Sequence, residues 1–167
     1  GESEGVSRSN VGGWHSAANL HQRQDMAEIA QAILLACAGC AQTLGFDFER
    51  SELHLVDLWL NRNGPGAMNK PHIHPHSMFS GAYYVQVPPE SGNIEFLDPV
   101  SARLMSKFPV SEKMKANAST IEFEPVEGAL LVFPSWLQHW VHPHRGVGDR
   151  VSISFNIGFR QKKRSSR

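Results

Sequence analysis

Two stretches decide the reading of this chain: Asn69-Lys-Pro-His72-Ile-His74-Pro-His76 and Phe133-Pro-Ser-Trp-Leu-Gln-His139-Trp-Val-His142-Pro-His144. In an extended strand, residues i and i+2 point to the same face, so His72 and His74 can offer two imidazoles to one ion without bending the backbone. A third ligand must come from elsewhere in the fold, and His139 in the second stretch supplies it. Three imidazoles on one side of an ion leave coordination positions open, which is the arrangement of a catalytic rather than a purely structural metal site. His76 shares the face of His72 and His74 and is an alternative to either. His142 and His144 are expected to line the mouth of the site or to face solvent.

Around these stretches the chain reads as short β-rich runs separated by Gly, Pro and Asn. Strands are expected at Leu53–Asn61, Lys70–His76, Gly81–Val87, Asn93–Leu97, Thr120–Phe123, Ala129–Phe133, His139–Pro143 and Val151–Phe159. Upstream, Met26, Ile29, Ala30, Ile33, Leu34 and Cys37 recur at spacings of three and four. They predict an amphipathic helix over residues 25–44, with Asp25 as its cap and Gly45 as its stop. Eight strands after one helix imply a mainly β sandwich or jelly roll with the helix packed outside. Residues 1–24 read as an irregular arm anchored by Trp14, residues 25–160 as one domain, and residues 161–167 as a basic tail. Val100–Ser119, with Lys107, Glu112, Lys113 and Lys115, reads as an exposed insertion or lid.

Composition excludes several classes. At 167 residues the chain suits one domain, and its 16 basic and 16 acidic residues balance, so no global field favours nucleic acid or anionic lipid. Cys37 and Cys40 fall inside the helical pattern without a second pair, which argues against a disulfide framework or a zinc knuckle and for a buried apolar pair. No uninterrupted apolar run reaches the roughly 18 residues of a membrane span, and no signal-peptide core is visible. A cytoplasmic protein is the expectation. Gly1 is not a natural start, so the sequence reads as a fragment or a processed chain.

Spacing adds specificity. Gly66, five residues, His72, one residue and His74 have the form of the first metal motif of cupin-type barrels, without the acidic residue that usually follows. Gly128, five residues, Pro134, four residues and His139 have the form of the second, with Trp136 where Gly is usual. Asn69–His74, Ser80-Gly-Ala-Tyr-Tyr-Val85, Phe133–His139 and Arg150-Val-Ser-Ile-Ser-Phe-Asn156, with the early Ser9-Asn-Val-Gly-Gly-Trp14, together resemble a bacterial and phage family of 2-oxoglutarate- and Fe(II)-dependent oxygenases. More distantly they are similar to prolyl hydroxylases.

The resemblance implies a cupin-like double-stranded β-helix and a set of roles. His72, His74 and His139 would bind Fe(II). Arg150, eleven residues beyond His139, would form a salt bridge with the far carboxylate of 2-oxoglutarate, a task that suits a guanidinium because its parallel donors match a planar carboxylate. Ser152 and Tyr84 would add hydroxyl donors. His74 stands where the superfamily carries Asp or Glu, which raises the net charge of the site by one and draws it toward three-His dioxygenases that need no 2-oxoglutarate. Asp57 and Asp98 remain alternative carboxylate ligands. Trp136 and Trp140 shape a pocket or fill the core.

The implied activity is oxidative hydroxylation of an unidentified small-molecule or peptidyl substrate. Two rivals share the histidines: a three-His metal dioxygenase or isomerase without 2-oxoglutarate, and a non-enzymatic barrel that binds a metal or small ligand. A homodimer is compatible with either.

Overall fold

The computed structural model describes residues 5–100, 105, 108–112, 114 and 117–163. Among the described residues one α-helix, α1 (Ala27–Thr43), precedes most of ten strands: β1 (Asn10–Val11), β2 (Trp14–His15), β3 (Ser51–Asn63), β4 (Met68–His72), β5 (Phe79–Gln86), β6 (Ile94–Leu97), β7 (Thr120–Phe123), β8 (Leu130–Pro134), β9 (His139–Val141) and β10 (Arg150–Gln161). The strands form two five-stranded sheets, ordered β1-β4-β9-β6-β7 and β2-β3-β10-β5-β8. All strand pairs are antiparallel. This is the mainly β, jelly-roll arrangement expected, with the helix outside it.

The sequence of β10 explains which face of its sheet carries the core. Arg150-Val-Ser-Ile-Ser-Phe-Asn-Ile157 alternates polar and apolar, so the two sets point to opposite faces. Ile153, Phe155 and Ile157 turn toward α1, where they join Leu58, Phe79 and the helix residues Ala30, Ile33, Cys37 and Ala41 in the main apolar cluster. Burying a side chain such as Ile33 or Phe155 contributes about 1.5–3 kcal/mol. The polar set, Arg150, Ser152, Ser154 and Asn156, faces the other sheet and lines a cavity of about 480 Å³. A smaller apolar cluster of Ile94, Phe96 and Phe133 closes the space between the sheets near His139.

A β-bulge resets the facing of β3. The register with β10 pairs Leu55 with Ile157 and then Asp57 with Asn156, so Val56 has no opposite residue. Leu53 and Leu55 pack on the α1 side; strict alternation would send Asp57 there too. The extra residue inverts the phase, so that Leu58 enters the core and Asp57, Trp59, Asn61 and Asn63 line the cavity.

Several boundaries differ from the sequence reading. The stretch taken as an irregular arm supplies β1 to one sheet and β2 to the other. The helix begins two residues later than expected, after a 3-10 turn over Gln24–Met26, and Met26 rather than Asp25 occupies the cap position. Asp25 instead accepts two hydrogen bonds from Arg23, at 2.9 and 2.6 Å. The expected stop holds: Gly45 adopts φ +75°, a left-handed conformation that suits glycine. The stretch Gln24–Thr43 is long and apolar enough to cross a membrane by length and composition; here its apolar stripe packs on the sheet. In the stretch expected to be a lid, residues 101–104, 106–107, 113 and 115–116 lie outside the described residues, and Met105 and Phe108 are exposed. Strand β10 runs to Gln161, and Arg160 within it pairs with Glu52 at 2.6 Å.

Candidate active site

His72 ends β4, and His139 opens β9 directly opposite it in the ladder. The strand stops there: His74 sits in the following loop, its backbone N–H donating 2.9 Å to the Ser135 carbonyl. The single-strand geometry expected for His72 and His74 is thus replaced by a strand end and a tied loop. Pro71 and Pro75 limit ladder hydrogen bonding here, and His76 takes φ 65°, which turns the chain away. The outcome is still convergence. One donor atom from each of His72, His74 and His139 lies within 4.8 Å of the others, and the ring centroids are 4.3–5.2 Å apart.

Backbone carbonyls fix two of the tautomers. His72 Nδ1 lies 2.7 Å from the Lys70 carbonyl oxygen, and His139 Nδ1 lies 2.9 Å from that of Leu137. A carbonyl can only accept, so Nδ1 carries the proton in both rings and Nε2 is left with its lone pair. Burial holds all three imidazoles below the ordinary histidine range, with His74 at about 4 and His139 at about 3, their mutual proximity adding to the effect; His72 shifts in the same direction. At neutral pH they are uncharged, the form in which an imidazole ligates a metal. Trp59 lies beside His74 at 6.0 Å between ring centroids, and His15 stacks on Trp59 at 5.4 Å.

Across the cavity, Arg150, Ser152 and Tyr84 come together on the facing sheet. Ser152 pairs with Tyr84 in the β10–β5 ladder, and Arg150 precedes it by two residues on the same face. Arg150 is 3% exposed. Its Nη1 donates to the carbonyls of Ser91 and Gly92 at 2.6 and 3.2 Å; among the described residues no carboxylate pairs with it. Burial lowers its pKa and raises that of Tyr84, each partly offset by the other. A guanidinium nevertheless stays charged. An unpaired buried cation is costly, so this arrangement fits an anionic ligand between Arg150 and the histidines. The donor sets accordingly fit a divalent metal and a carboxylate-bearing cosubstrate in one cavity.

The remaining residues singled out from sequence separate clearly. Asp57 lines the same cavity but lies outside the three-histidine group, and Asp98 belongs to neither. His76 is exposed and outside the group. His144 does not line the mouth: it is 1% exposed, with its ring nitrogens 3.1 and 3.0 Å from the carbonyl oxygens of Glu90 and Gly148. His142 bonds Glu95 at 2.7 Å and stacks on Trp140; with Glu122 it forms a second compact donor group. Trp136 is 60% exposed and, like Trp140, does not line the cavity. The sequence reading missed Trp59, Asn61, Ser154 and Asn156 as cavity residues. The alternation of β10 carried the signal, but alternation alone does not say whether a polar face meets solvent or a cavity.

Comparison with known proteins finds likenesses of fold and one of sequence family. The fold is similar to that of a Pseudomonas putida prolyl-4-hydroxylase (18% identity, TM-score 0.58, 90% of this chain and 72% of that one). It is also similar to HygX from Streptomyces hygroscopicus, solved with nickel, 2-oxoglutarate and hygromycin B bound (12% identity, TM-score 0.60, 92% and 72%). A third likeness is to an oxidoreductase of the 2OG-Fe(II) oxygenase family from Burkholderia pseudomallei (15% identity, TM-score 0.51, 64% and 45%), of whose length the chain spans less than half. At such identities the likeness is one of fold. No curated protein matches the chain in sequence. Residues 57–156, which hold all three histidines, Tyr84, Arg150 and Ser152, match the family described as "Putative 2OG-Fe(II) oxygenase", and the chain belongs to that family.

Proposed function

We propose that this chain hydroxylates a small molecule, or a single side chain of a larger one, with His72, His74 and His139 holding Fe(II) and Arg150 holding 2-oxoglutarate. The observation that carries this reading is the placement of a buried, anion-free guanidinium in the same cavity as three uncharged imidazoles. Bound iron and cosubstrate supply the oxidising power for the reaction.

The chain's own residues bind and orient. The carbonyls of Lys70 and Leu137 hold the His72 and His139 rings with the Nε2 lone pairs turned away from them, that of His72 lying 3.5 Å from the Ser9 hydroxyl. The carbonyls of Ser91 and Gly92 pin one edge of Arg150, which leaves Nε and Nη2 for a carboxylate, while the Tyr84 and Ser152 hydroxyls are adjacent donors. Burial of Tyr84 keeps its phenol protonated, so it can donate. Phe96 and Phe133 against His139 exclude water from that side.

The test is calorimetric titration of the Ni(II)-loaded protein with 2-oxoglutarate, on wild type and Arg150→Lys. Lysine keeps the charge and loses the two-pronged donor set, and a charge-assisted hydrogen bond contributes about 1.5–3 kcal/mol. Weakening by about 10- to 100-fold is expected. Equal affinity in a folded variant would remove Arg150 from the cosubstrate site; no binding to wild type would favour the three-His chemistry without 2-oxoglutarate.

A further inference from the structure

The cavity contains a second charged group that neither the metal nor the cosubstrate uses. Asp57 reaches it only because the bulge at Val56 inverts the facing of β3; in strict alternation its carboxylate would point into the apolar cluster with Leu53 and Leu55. Bulges beside functional sites serve to re-aim a side chain. A dedicated polar network then fixes the carboxylate. The Ser80 hydroxyl, 1% exposed, donates to Asn156 Oδ1 at 2.8 Å, and Asn156 Nδ2 donates to Asp57 Oδ2 at 2.7 Å. Alongside, Asn61 Nδ2 donates to the Ser154 hydroxyl at 2.9 Å. These side chains sit where a barrel interior is usually filled by apolar groups, and such a network is worthwhile only when all its members are satisfied.

One member is not. Asp57 Oδ1 has no hydrogen-bond partner among the described residues, and no Lys or Arg there lies within ion-pair distance of the carboxylate. His15 on β2, which interacts electrostatically with Asp57, is held below its usual range mainly by burial and so is uncharged at neutral pH. Arg8 borders the cavity but is exposed and makes no ion pair with Asp57. A partly buried carboxylate with one oxygen oriented by Asn156 presents the other to whatever enters the cavity, and a cationic donor is its strongest partner. The metal does not answer this need, because Asp57 lies outside the group of donors that converge on it. The cavity, about 480 Å³, falls within the ~300–1,000 Å³ range of small-molecule sites.

Resting on the function proposed above, we infer that Asp57 anchors a cationic nitrogen of the substrate, a guanidinium or ammonium, on the β3–β10 side of the cavity. Arg150 thus takes the anion of the cosubstrate and Asp57 the cation of the substrate, so each charged ligand has one charged partner.

The experiment compares isosteres that differ in charge. Binding of butylguanidinium and of neutral butylurea is measured by NMR titration of the Ni(II)-loaded protein, with and without 2-oxoglutarate, on wild type and Asp57→Asn. N-acetyl-arginine amide and N-acetyl-citrulline amide repeat the comparison for a side-chain source. The expected result is a guanidinium preference of at least about tenfold in wild type, in one or both pairs, that disappears in the variant. The 2-oxoglutarate affinity should not change. Equal binding of charged and neutral probes to wild type would overturn the inference, and that arm stands even if the variant fails to fold. A preference retained in folded Asp57→Asn would also overturn it, as would loss of nickel from that variant, which would assign Asp57 to the metal. Failure of 2-oxoglutarate to bind wild type would instead strike the proposed function, and the probe discrimination is read independently of it.

Discussion

Lowering the pH should destabilise the metal-free protein well above the range in which its carboxylates titrate. An unfolded histidine titrates near 6.5, whereas burial holds folded His74 at about 4 and His139 at about 3. Above pH 7 both states are neutral and these residues contribute nothing to the pH dependence. As pH falls through 6.5 the unfolded chain takes up protons that the folded chain refuses, so stability declines; each contribution levels off only at the folded value. At pH 5.5 each residue costs about 1.2 kcal/mol relative to pH 7, or about 2.5 kcal/mol for the pair. For a chain of this length that corresponds to a fall in Tm of roughly 5–10 °C. Scanning calorimetry on chelator-treated protein at pH 7.0 and 5.5 reads it directly, and His139→Gln, which removes one titrating group, should lessen the drop by that residue's share of about 1.2 kcal/mol. A Tm constant to within about 2 °C, or an undiminished drop in the variant, would refute the argument that burial keeps these imidazoles neutral.

Three further perturbations test the packing. Phe155→Ala empties the centre of the helix-to-sheet core, where Phe155 is fully buried, and should cost about 3–5 kcal/mol in urea unfolding. Gly81→Ala should cost about 1–3 kcal/mol or more, because the new Cβ would meet the Leu131 carbonyl oxygen at 2.2 Å and the Phe155 ring at 2.3 Å; thermal unfolding measures it. The Cys37 thiol, buried and pushed up to about 12, should resist alkylation at pH 8 in native protein and react only on unfolding, as mass spectrometry of labelled peptides would show.

Much of this architecture was legible because period-2 and period-3.6 patterns are local. The stripe Ala30, Ile33, Cys37 predicted the helix, and the alternation from Arg150 to Asn156 predicted the strand that carries the cosubstrate candidates. The two histidine clusters identified the three imidazoles that converge. What was not legible depends on cross-strand register. The bulge at Val56 arises from pairing with β10, so the inward turn of Asp57 left no mark in the sequence. The end of β4 at His72 follows from the left-handed turn at His76 and the tie of His74 to Ser135, neither of which an H-x-H spacing reveals. The burial of His144 likewise depends on the Glu90 carbonyl, 54 positions away in the chain, as well as on that of nearby Gly148.

Whether the three histidines hold iron in reach of a cosubstrate anchored by Arg150 is decided by anaerobic titration of the Fe(II)-loaded protein with 2-oxoglutarate. The readout is the weak visible charge-transfer band of a bidentate chelate. The band should saturate in wild type, be lost with the iron in His139→Ala, and require much more 2-oxoglutarate in Arg150→Ala. Iron bound stoichiometrically at the histidines with no band at any 2-oxoglutarate concentration would contradict that arrangement.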